Sequence, residues 1–196
     1  MTMLTKIRVA DEKDAQGIVA IYAPFCAGDS PVSFEIEPPT LDEMRSRIAS
    51  TLESLPWIVC EDSGGQLLGY AYASQHKTRP AYRWSVDVSI YLSPKARRQG
   101  IGTKLYRKLF AILIEMGFVN AYAGVTLPNA ASVAIHQALG FSQVGVYEQV
   151  GYKGGKWHDV AWFALSLTDH GDSPTEPLKF TDYISSRIKT GAGAEL

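Results

Sequence analysis

The sequence has little cysteine: Cys26 and Cys60 are its only two thiols in 196 residues. Both lie among apolar neighbours, and neither belongs to a Cys-x-x-Cys pair or to a Cys/His spacing typical of metal sites. The pattern therefore predicts two buried free thiols in a reducing, cytoplasmic compartment, and no metal site.

An excess of one charge and long apolar runs are also missing. There are 19 Lys and Arg residues against 20 Asp and Glu residues, whereas nucleic-acid binding through a general positive field needs a basic excess. The longest apolar runs, such as residues 109–114, have six residues, and a membrane-spanning helix needs about 20. Lys6, Arg8 and Asp11 interrupt the span that a signal peptide would use. We expect neither a nucleic-acid partner nor a membrane segment.

The hydrophobic and turn patterns predict mixed helices and strands. Residues 7–9 alternate as a strand, and Asp11 is a predicted N-cap of a helix that Pro24 ends or bends. Thr40 and Glu43 form a capping-box pattern before a second amphipathic helix. The segment between these helices, residues 27–39, contains Gly28 and three prolines and predicts a long loop.

The remainder of the chain predicts one domain with a tail. Further strands are expected at residues 57–61, 66–74, 86–92, 121–125, 142–150 and 157–167, and helices at 102–116 and 130–139. This order predicts an α/β (α+β) fold with antiparallel hairpins at both ends. In residues 86–92, Asp87, Ser89 and Tyr91 share the face expected to be polar, because strand side chains alternate. Residues 168–196 are polar and predict a tail with at most a short amphipathic segment.

The strongest local motif is Arg97-Arg98-Gln99-Gly100-Ile101-Gly102-Thr103, which follows a predicted strand and opens a predicted helix. Glycine lets a backbone approach an anion, and the free amides of a first helical turn supply donors. The spacing fits neither a Walker loop nor the dinucleotide fingerprint, which needs glycine where Leu105 stands. The motif predicts a phosphate-binding loop; the alternative is a strand-to-helix turn with solvated arginines.

This loop resembles the acetyl-CoA pyrophosphate loop of the GNAT superfamily of N-acetyltransferases. Asn129-x-x-Ser132, followed by Leu139-Gly140-Phe141, resembles the superfamily's next motif. Three more segments are similar to the phosphinothricin and methionine sulfoximine acetyltransferases: Lys77-x-Arg79-x-Ala81-Tyr82-x-Trp84, residues 152–160, and Phe34 ahead of Pro38. The resemblance covers residues 6–167, so it implies a GNAT domain at 1–167 and a tail at 168–196.

The resemblance implies a GNAT fold and acetyl transfer from acetyl-CoA to the amine of a small amino-acid-like acceptor, such as phosphinothricin, methionine sulfoximine or methionine sulfone. The donor's pantetheine arm would lie along one strand, where a backbone amide near Ile90 would polarise the carbonyl. The residues expected to bind the donor are Ile90, Tyr91, Leu92, Arg97, Arg98, Gln99, Gly100, Ile101, Gly102, Thr103, Asn129 and Ser132.

Acyl transfer to an amine needs a base and a proton for the leaving thiolate. Asp87 lies just upstream of the donor-binding residues and is the predicted base; the alternative is a carboxylate paired with an arginine. Related enzymes carry Glu here, so the shorter Asp would need a bridging water. His136, where relatives carry Tyr, is the predicted acid, against the alternative of a partly buried structural residue. The weaker candidates for this role are Glu35, His76 and His158.

The acceptor site is inferred from a cationic segment and the family motifs. Lys77, Arg79 and Arg83 would attract an anionic acceptor, and the arginine fork suits a carboxylate. The alternative is an exposed basic loop. The residues expected to bind the acceptor are Phe34, Lys77, Arg79, Ala81 and Tyr82.

Two other functions stay open at this point. The acceptor would be a protein or peptide N-terminus if an open groove replaced a closed pocket. A non-catalytic acetyl-CoA-binding module would fit the Asp for Glu difference at position 87. Related enzymes form dimers, so the resemblance also implies a homodimer.

Overall fold

The computed structural model describes residues 4–189 and contains a seven-stranded sheet with helices packed on both faces. The strands are β1 (Thr5–Val9), β2 (Trp57–Asp62), β3 (Leu67–Gln75), β4 (Ser85–Leu92), β5 (Asn120–Thr126), β6 (Ser142–Lys153) and β7 (Lys156–Ser166). The α-helices are α1 (Ala15–Cys26), α2 (Leu41–Leu52), α3 (Ile101–Met116), α4 (Ala130–Ala138) and α5 (Phe180–Lys189). The order in the sheet is β1-β2-β3-β4-β5-β7-β6. The predicted α/β fold with a hairpin at each end is confirmed.

Local capping explains where the first two helices begin. The Asp11 side chain accepts from the Lys13 amide and caps a short 3₁₀ turn that leads into α1. The Glu43 amide donates to Thr40 Oγ1, and the Thr40 amide donates to the Glu43 carboxylate, so the predicted capping box is formed. Pro24 lies within the last turn of α1, which continues to Cys26. The proline therefore does not end the helix at its own position.

Two hydrophobic cores cover the two faces of the sheet. On one face α3 packs against β4 through Val86 and Val88, which are buried. On the other face Tyr91 packs against Tyr22 of α1 and Tyr70 of β3, with ring centroids 4.8 and 5.4 Å apart. The prediction that this face of β4 is polar is therefore wrong at Tyr91, because aromatic side chains of α1 cover that end of the strand.

The centre of the sheet opens between β4 and β5, the only parallel pair within residues 4–189. Pairing between these strands joins Ser85 to Asn120, Val86 to Ala121 and Asp87 to Tyr122, and no later residues. Beyond Asp87, β5 continues to pair with β7 while β4 stays paired with β3. The β5-facing edge of β4 therefore keeps free backbone groups that a strand-like ligand would pair with.

The segment after β7 contributes to the core. Phe180 and Tyr183 of α5 are 3% and 4% exposed and belong to the α3-side core. The amide of Leu178 donates to the Met116 carbonyl at 2.8 Å. Residues 190–196 of the predicted tail lie outside the described residues.

The sequence predicts no membrane-spanning segment and two free thiols. Within residues 4–189, no helix is both long enough and apolar enough to span a bilayer. Cys26 and Cys60 are both buried and free, as predicted, and burial raises the pKa of each thiol.

Candidate active site

A cleft of about 680 Å³ extends from the last residues of β4, Ile90 to Leu92, to the start of α3. A smaller cavity of about 60 Å³ lies where β4 and β5 separate, adjoins the cleft, and shares Val32, Asn129 and Ser132 with it as lining residues. Of the residues expected to bind the donor, Gln99 alone does not line the cleft, because its side-chain amide donates to the Lys95 carbonyl at 2.6 Å. The structure brings the others together: Ile90, Tyr91, Leu92, Arg97, Arg98, Gly100, Ile101, Gly102, Thr103, Asn129 and Ser132.

The loop before α3 has the backbone of an anion site. Arg98 and Gly100 both adopt left-handed conformations, with φ of 59° and 73°. Lys104 is the first residue of α3 whose amide reaches a carbonyl behind it, that of Gly100. The preceding first-turn amides have no acceptor inside the helix, and successive amides in such a turn form a concave anion site. Arg97 and Arg98 are exposed and add positive charge.

The two glycines of this loop are required for different reasons. Gly100 needs its positive φ, and a Cβ there would meet nothing within 4 Å. A Cβ on Gly102 would lie 2.7 Å from Ile135 Cδ1 and 3.2 Å from Leu92 Cδ1. Gly102 therefore allows α3 to approach α4 and β4 closely.

The Asn129-x-x-Ser132 motif is an N-cap. The Ser132 amide donates to Asn129 Oδ1 at 3.1 Å, which satisfies one of the free donors at the start of α4. Because the carbonyl of this side chain is used by the helix, the Asn129 amide group is the part left for a ligand in the cleft.

Asp87 is the last residue of β4 that pairs with β5, and the next residue, Val88, lines the smaller cavity. Its Oδ1 is 2.6 Å from Nδ1 of His76, so its partner is a histidine and not an arginine. Burial raises the pKa of Asp87, while the His76 hydrogen bond and the charge of Lys77 oppose the rise. A carboxylate whose pKa is raised by burial holds a proton more readily, as a base in catalysis requires.

His76 follows the end of β3 and folds over the sheet. Its ring stacks on Tyr122 with centroids 4.4 Å apart and planes at 15°, and it meets the rings of Tyr82 and Trp162 edge-on. The pairing of His76 with Asp87 was missed from the sequence. The signal lay in the strand register, because Ser74 is paired with Asp87 and the chain of β3 ends at the next residue.

His136 is buried in α4 at the wall of the smaller cavity. Its Nδ1 donates to the Ser132 carbonyl at 2.7 Å, and Nε2 lies 3.1 Å from the Tyr106 hydroxyl. Burial lowers its pKa, and the Ser132 hydrogen bond opposes that shift. A neutral ring with Nδ1 protonated fits this geometry, so Nε2 accepts from Tyr106.

The residues expected to bind the acceptor form two groups. Lys77 and Tyr82 lie beside the His76–Asp87 pair, and the short turn that contains Tyr82 also holds Ala81. Arg79 directly precedes this turn and is exposed. Phe34 instead contacts the β6–β7 hairpin at Gly151 and lies 6.2 Å from the His158 ring.

Arg83 does not join the cationic group beside Asp87. Its guanidinium donates to Glu176 at 2.8 Å and packs over the Trp84 ring. Lys77 and Arg79 are therefore the cations of the predicted segment that stay available to an acceptor.

Lys153 lies in the family motif at residues 152–160, but the sequence predicted no role for it. Its side chain holds the loop at residues 27–39 over the site. Its buried ammonium donates to the carbonyls of Cys26, Ser33 and Glu35 at 2.9, 2.7 and 2.8 Å. Nε2 of His158 lies 2.9 Å from the carbonyl oxygen of Lys153. The hairpin and residues 27–39 are thereby fixed to each other.

Glu35, the remaining acid candidate, lies in an ion pair away from Asp87. The Glu35 carboxylate is paired with Arg47 at 2.7 Å. Among residues 4–189, no three His, Cys, Asp or Glu side chains form a group that would hold a metal ion.

Known proteins share this architecture. The model of the acetyltransferase (GNAT) domain matches residues 7–162. A phosphinothricin N-acetyltransferase of Streptomyces coelicolor is 35% identical over 169 residues, which cover 85% of this chain and 98% of that protein. An L-methionine sulfoximine/L-methionine sulfone acetyltransferase of Pseudomonas paraeruginosa is 30% identical over 173 residues, which cover 88% and 100%. The crystal structure of a phosphinothricin acetyltransferase of Sinorhizobium meliloti with AcCoA has a TM-score of 0.83 and 35% identity, covering 91% of this chain and 96% of that one.

Proposed function

Because the chain belongs to the GNAT acetyltransferase family and is an acetyl-CoA-dependent N-acetyltransferase of the phosphinothricin acetyltransferase type, we propose that it acetylates the α-amine of a small, anionic, amino-acid-like acceptor. The candidates are phosphinothricin, methionine sulfoximine and methionine sulfone. The observation that carries the proposal is the position of Asp87. It is the last residue of β4 that pairs with β5, it directly precedes Val88 at the wall of the smaller cavity, and its charge interacts with that of Lys77.

The cleft supplies the donor's contacts through backbone and charge. The first-turn amides of α3 and the guanidinium groups of Arg97 and Arg98 hold the pyrophosphate. The open edge of β4 pairs with the pantetheine arm, and an amide near Ile90 stabilises the negative charge that develops on the acetyl oxygen. These contacts position the donor without a side-chain nucleophile.

Asp87 provides the carboxylate base, and the acetyl group passes directly to the amine. A covalent acyl-enzyme is not proposed, because the two cysteines are fully buried and burial raises the pKa of both thiols. Lys77 and Arg79 bind the acceptor's acidic groups, and Tyr82 forms an apolar wall next to the amine.

His136 is proposed to supply the proton that the leaving thiolate takes up. This role requires a proton on Nε2, which accepts from Tyr106 in the resting structure. Burial lowers the pKa of His136 and disfavours that form. We therefore expect His136→Gln to slow turnover by only about tenfold. If the variant turned over as fast as the wild type, His136 would not be the proton donor.

A homodimer is proposed through the long outer strand β6. This edge strand exposes an apolar set, and an unpaired apolar edge favours association with a second chain. The exposed side chains of β6 are Val144, Val146, Tyr147, Val150 and Tyr152, and Trp157 of β7 is exposed beside Tyr152. Sedimentation velocity tests the dimer, and Val146→Lys on the same edge is expected to produce a monomer. The two buried free thiols also support a cytoplasmic location.

A panel of acceptors tests the function. Thiol release from acetyl-CoA is measured with phosphinothricin, methionine sulfoximine, methionine sulfone, ordinary amino acids and short peptides. We expect turnover with the first three alone. Turnover restricted to peptides would favour acetylation of protein N-termini, and acetyl-CoA binding without any turnover would favour a non-catalytic module.

A further inference from the structure

We propose that His76 is a catalytic residue, whose Nε2 takes the proton from the acceptor amine while Asp87 holds Nδ1. The proposal rests on the proposed function and deepens it. The imidazole occupies the place of the bridging water that the short Asp87 side chain was expected to need. Asp87 and His76 then act together as the base.

The geometry orients the imidazole for this role. The 2.6 Å contact between Nδ1 and Asp87 Oδ1 fixes one edge of the ring. Stacking on Tyr122 fixes its plane. Because Nδ1 and Nε2 lie on opposite sides of the ring, Nε2 is directed away from Asp87. A rigid ring of this kind loses little freedom when the acceptor binds.

Nε2 of His76 is available to an acceptor. Among residues 4–189 it has no hydrogen-bond partner, and the side chain is 14% exposed. Trp162, which meets the ring edge-on, has a buried Nε1 that also lacks a partner among the described residues. A substrate that brings its amine to Nε2 of His76 would therefore find an unused N–H donor close by.

The position of His76 fits the reacting end of the donor. Asp87 and Tyr122 form the last pair of the parallel ladder, and His76 contacts both. The smaller cavity begins at the residues that follow this pair, Val88 and Ala123, and adjoins the cleft that reaches the pyrophosphate loop at the start of α3. A donor whose phosphates bind at α3 and whose arm runs along β4 would present its thioester near His76.

The amine loses one proton in the step, and the thiolate gains one. As the amine nitrogen forms its bond to the acetyl carbon, the carbon–sulfur bond breaks and the nitrogen's proton moves to Nε2. The thiolate takes one proton, from His136 or from solvent, and the imidazolium later releases its proton through the exposed part of the ring. An imidazole is better suited than a carboxylate to accept a proton near neutral pH.

Charged and aromatic groups surround the His76 ring. Asp87 on β4 is hydrogen-bonded to it, and the charge of Lys77 acts on Asp87. Tyr82 and Tyr122 contribute phenol groups, and Trp162 on β7 does not titrate.

His76→Phe tests the proposal, because it keeps an aromatic ring on Tyr122 and removes both nitrogens. With wild-type turnover established on the acceptor panel, we expect kcat/KM of this variant to fall by about 100-fold or more. The acid limb of its pH profile should move to lower pH, since a lone carboxylate replaces the pair. The Kd for acetyl-CoA should stay unchanged. His170→Phe, which removes an exposed histidine, is the matched control and should match the wild type.

A rescue experiment separates catalysis from packing. Asp87→Glu in the His76→Phe background lengthens the carboxylate by one methylene and should restore kcat/KM at least tenfold. The proposal is overturned if His76→Phe keeps kcat/KM within threefold, or if kcat/KM falls with an unmoved acid limb and no rescue by Glu. Failure of the wild type to turn over any acceptor would instead overturn the proposed function.

Discussion

Nζ of Lys153 and the carbonyl oxygen of Ser33 lie 2.7 Å apart, although 120 residues separate them in sequence. The hydrogen bond joins the β6–β7 hairpin to the loop that covers the site. A buried ammonium would destabilise the fold if it were unpaired, and here three carbonyls satisfy its three protons at 2.9 Å or less. The loop that carries Phe34 and Val32 thus depends on one side chain of the β6–β7 hairpin, 120 residues after Ser33.

Lys153→Met should loosen this loop. The substitution removes the charge-assisted hydrogen bonds and leaves buried carbonyls without donors, so we expect a loss of about 3 kcal/mol, or roughly 6–12 °C in Tm. KM for the acceptor should rise while the Kd for acetyl-CoA stays the same. Lys156→Met, on the same hairpin but exposed, is the matched control. Equal Tm values for the two variants would contradict the account.

Gly102→Ala should weaken acetyl-CoA binding through a specific contact. The new Cβ would crowd Ile135 Cδ1, and the required shift would separate α3 from α4 at the cleft. Ile135→Val removes that Cδ1 atom, so the double variant should recover most of the affinity. Isothermal titration of the two single variants and the double variant measures the coupling. Additive losses would show that Ile135 is not the obstacle.

Arg97→Gln and Arg98→Gln should each weaken acetyl-CoA binding by about tenfold at low salt, since each removes a charge from the pyrophosphate loop. These contacts are exposed, so the difference from the wild type should shrink as NaCl rises from about 0.05 to about 0.5 M. Arg45→Gln removes an exposed arginine paired with Asp42 on α2. It should change neither the affinity for acetyl-CoA nor the dependence of that affinity on salt. A loss that is independent of salt would mean that the arginines act through loop structure.

Asp87→Asn should change the dependence of stability on pH. Burial raises the pKa of Asp87 above its ordinary value of 3.8, so the folded state binds the proton more tightly than the unfolded state. The carboxyl's contribution to the free energy of unfolding is therefore fully present below about pH 3.8 and is lost as pH rises through the folded pKa. Asn cannot ionise, so Tm of the variant minus Tm of the wild type should increase with pH. If thermal scans showed this Tm difference decreasing with pH, the raised pKa of Asp87 would be contradicted.

Much of the fold could be predicted because local patterns agree with it. The Thr40 and Glu43 capping box and the alternation of β4 each depend on residues close in sequence. Tyr91 did not follow this logic, because the aromatic cluster under α1 is a property of packing between distant elements. Likewise the short segment around Phe180 joins the core only once α3 is in place.

The site could be predicted in part. The loop before α3 is continuous in sequence, so its residues were found together. His76 and Asp87 meet across two strands, and their pairing requires the register of β3 against β4. Lys153 could not be identified, since a lysine in an edge strand is normally exposed and its carbonyl partners belong to an irregular loop.

The most direct test of the account is the steady-state kcat/KM for phosphinothricin, measured on the wild type and on Asp87→Asn, with the Kd for acetyl-CoA determined for both. We predict that the wild type turns over and that the variant loses at least about 100-fold in kcat/KM with an unchanged Kd. Variant activity within threefold of the wild type, at equal donor affinity, would contradict the assignment of this site as the centre of acetyl transfer.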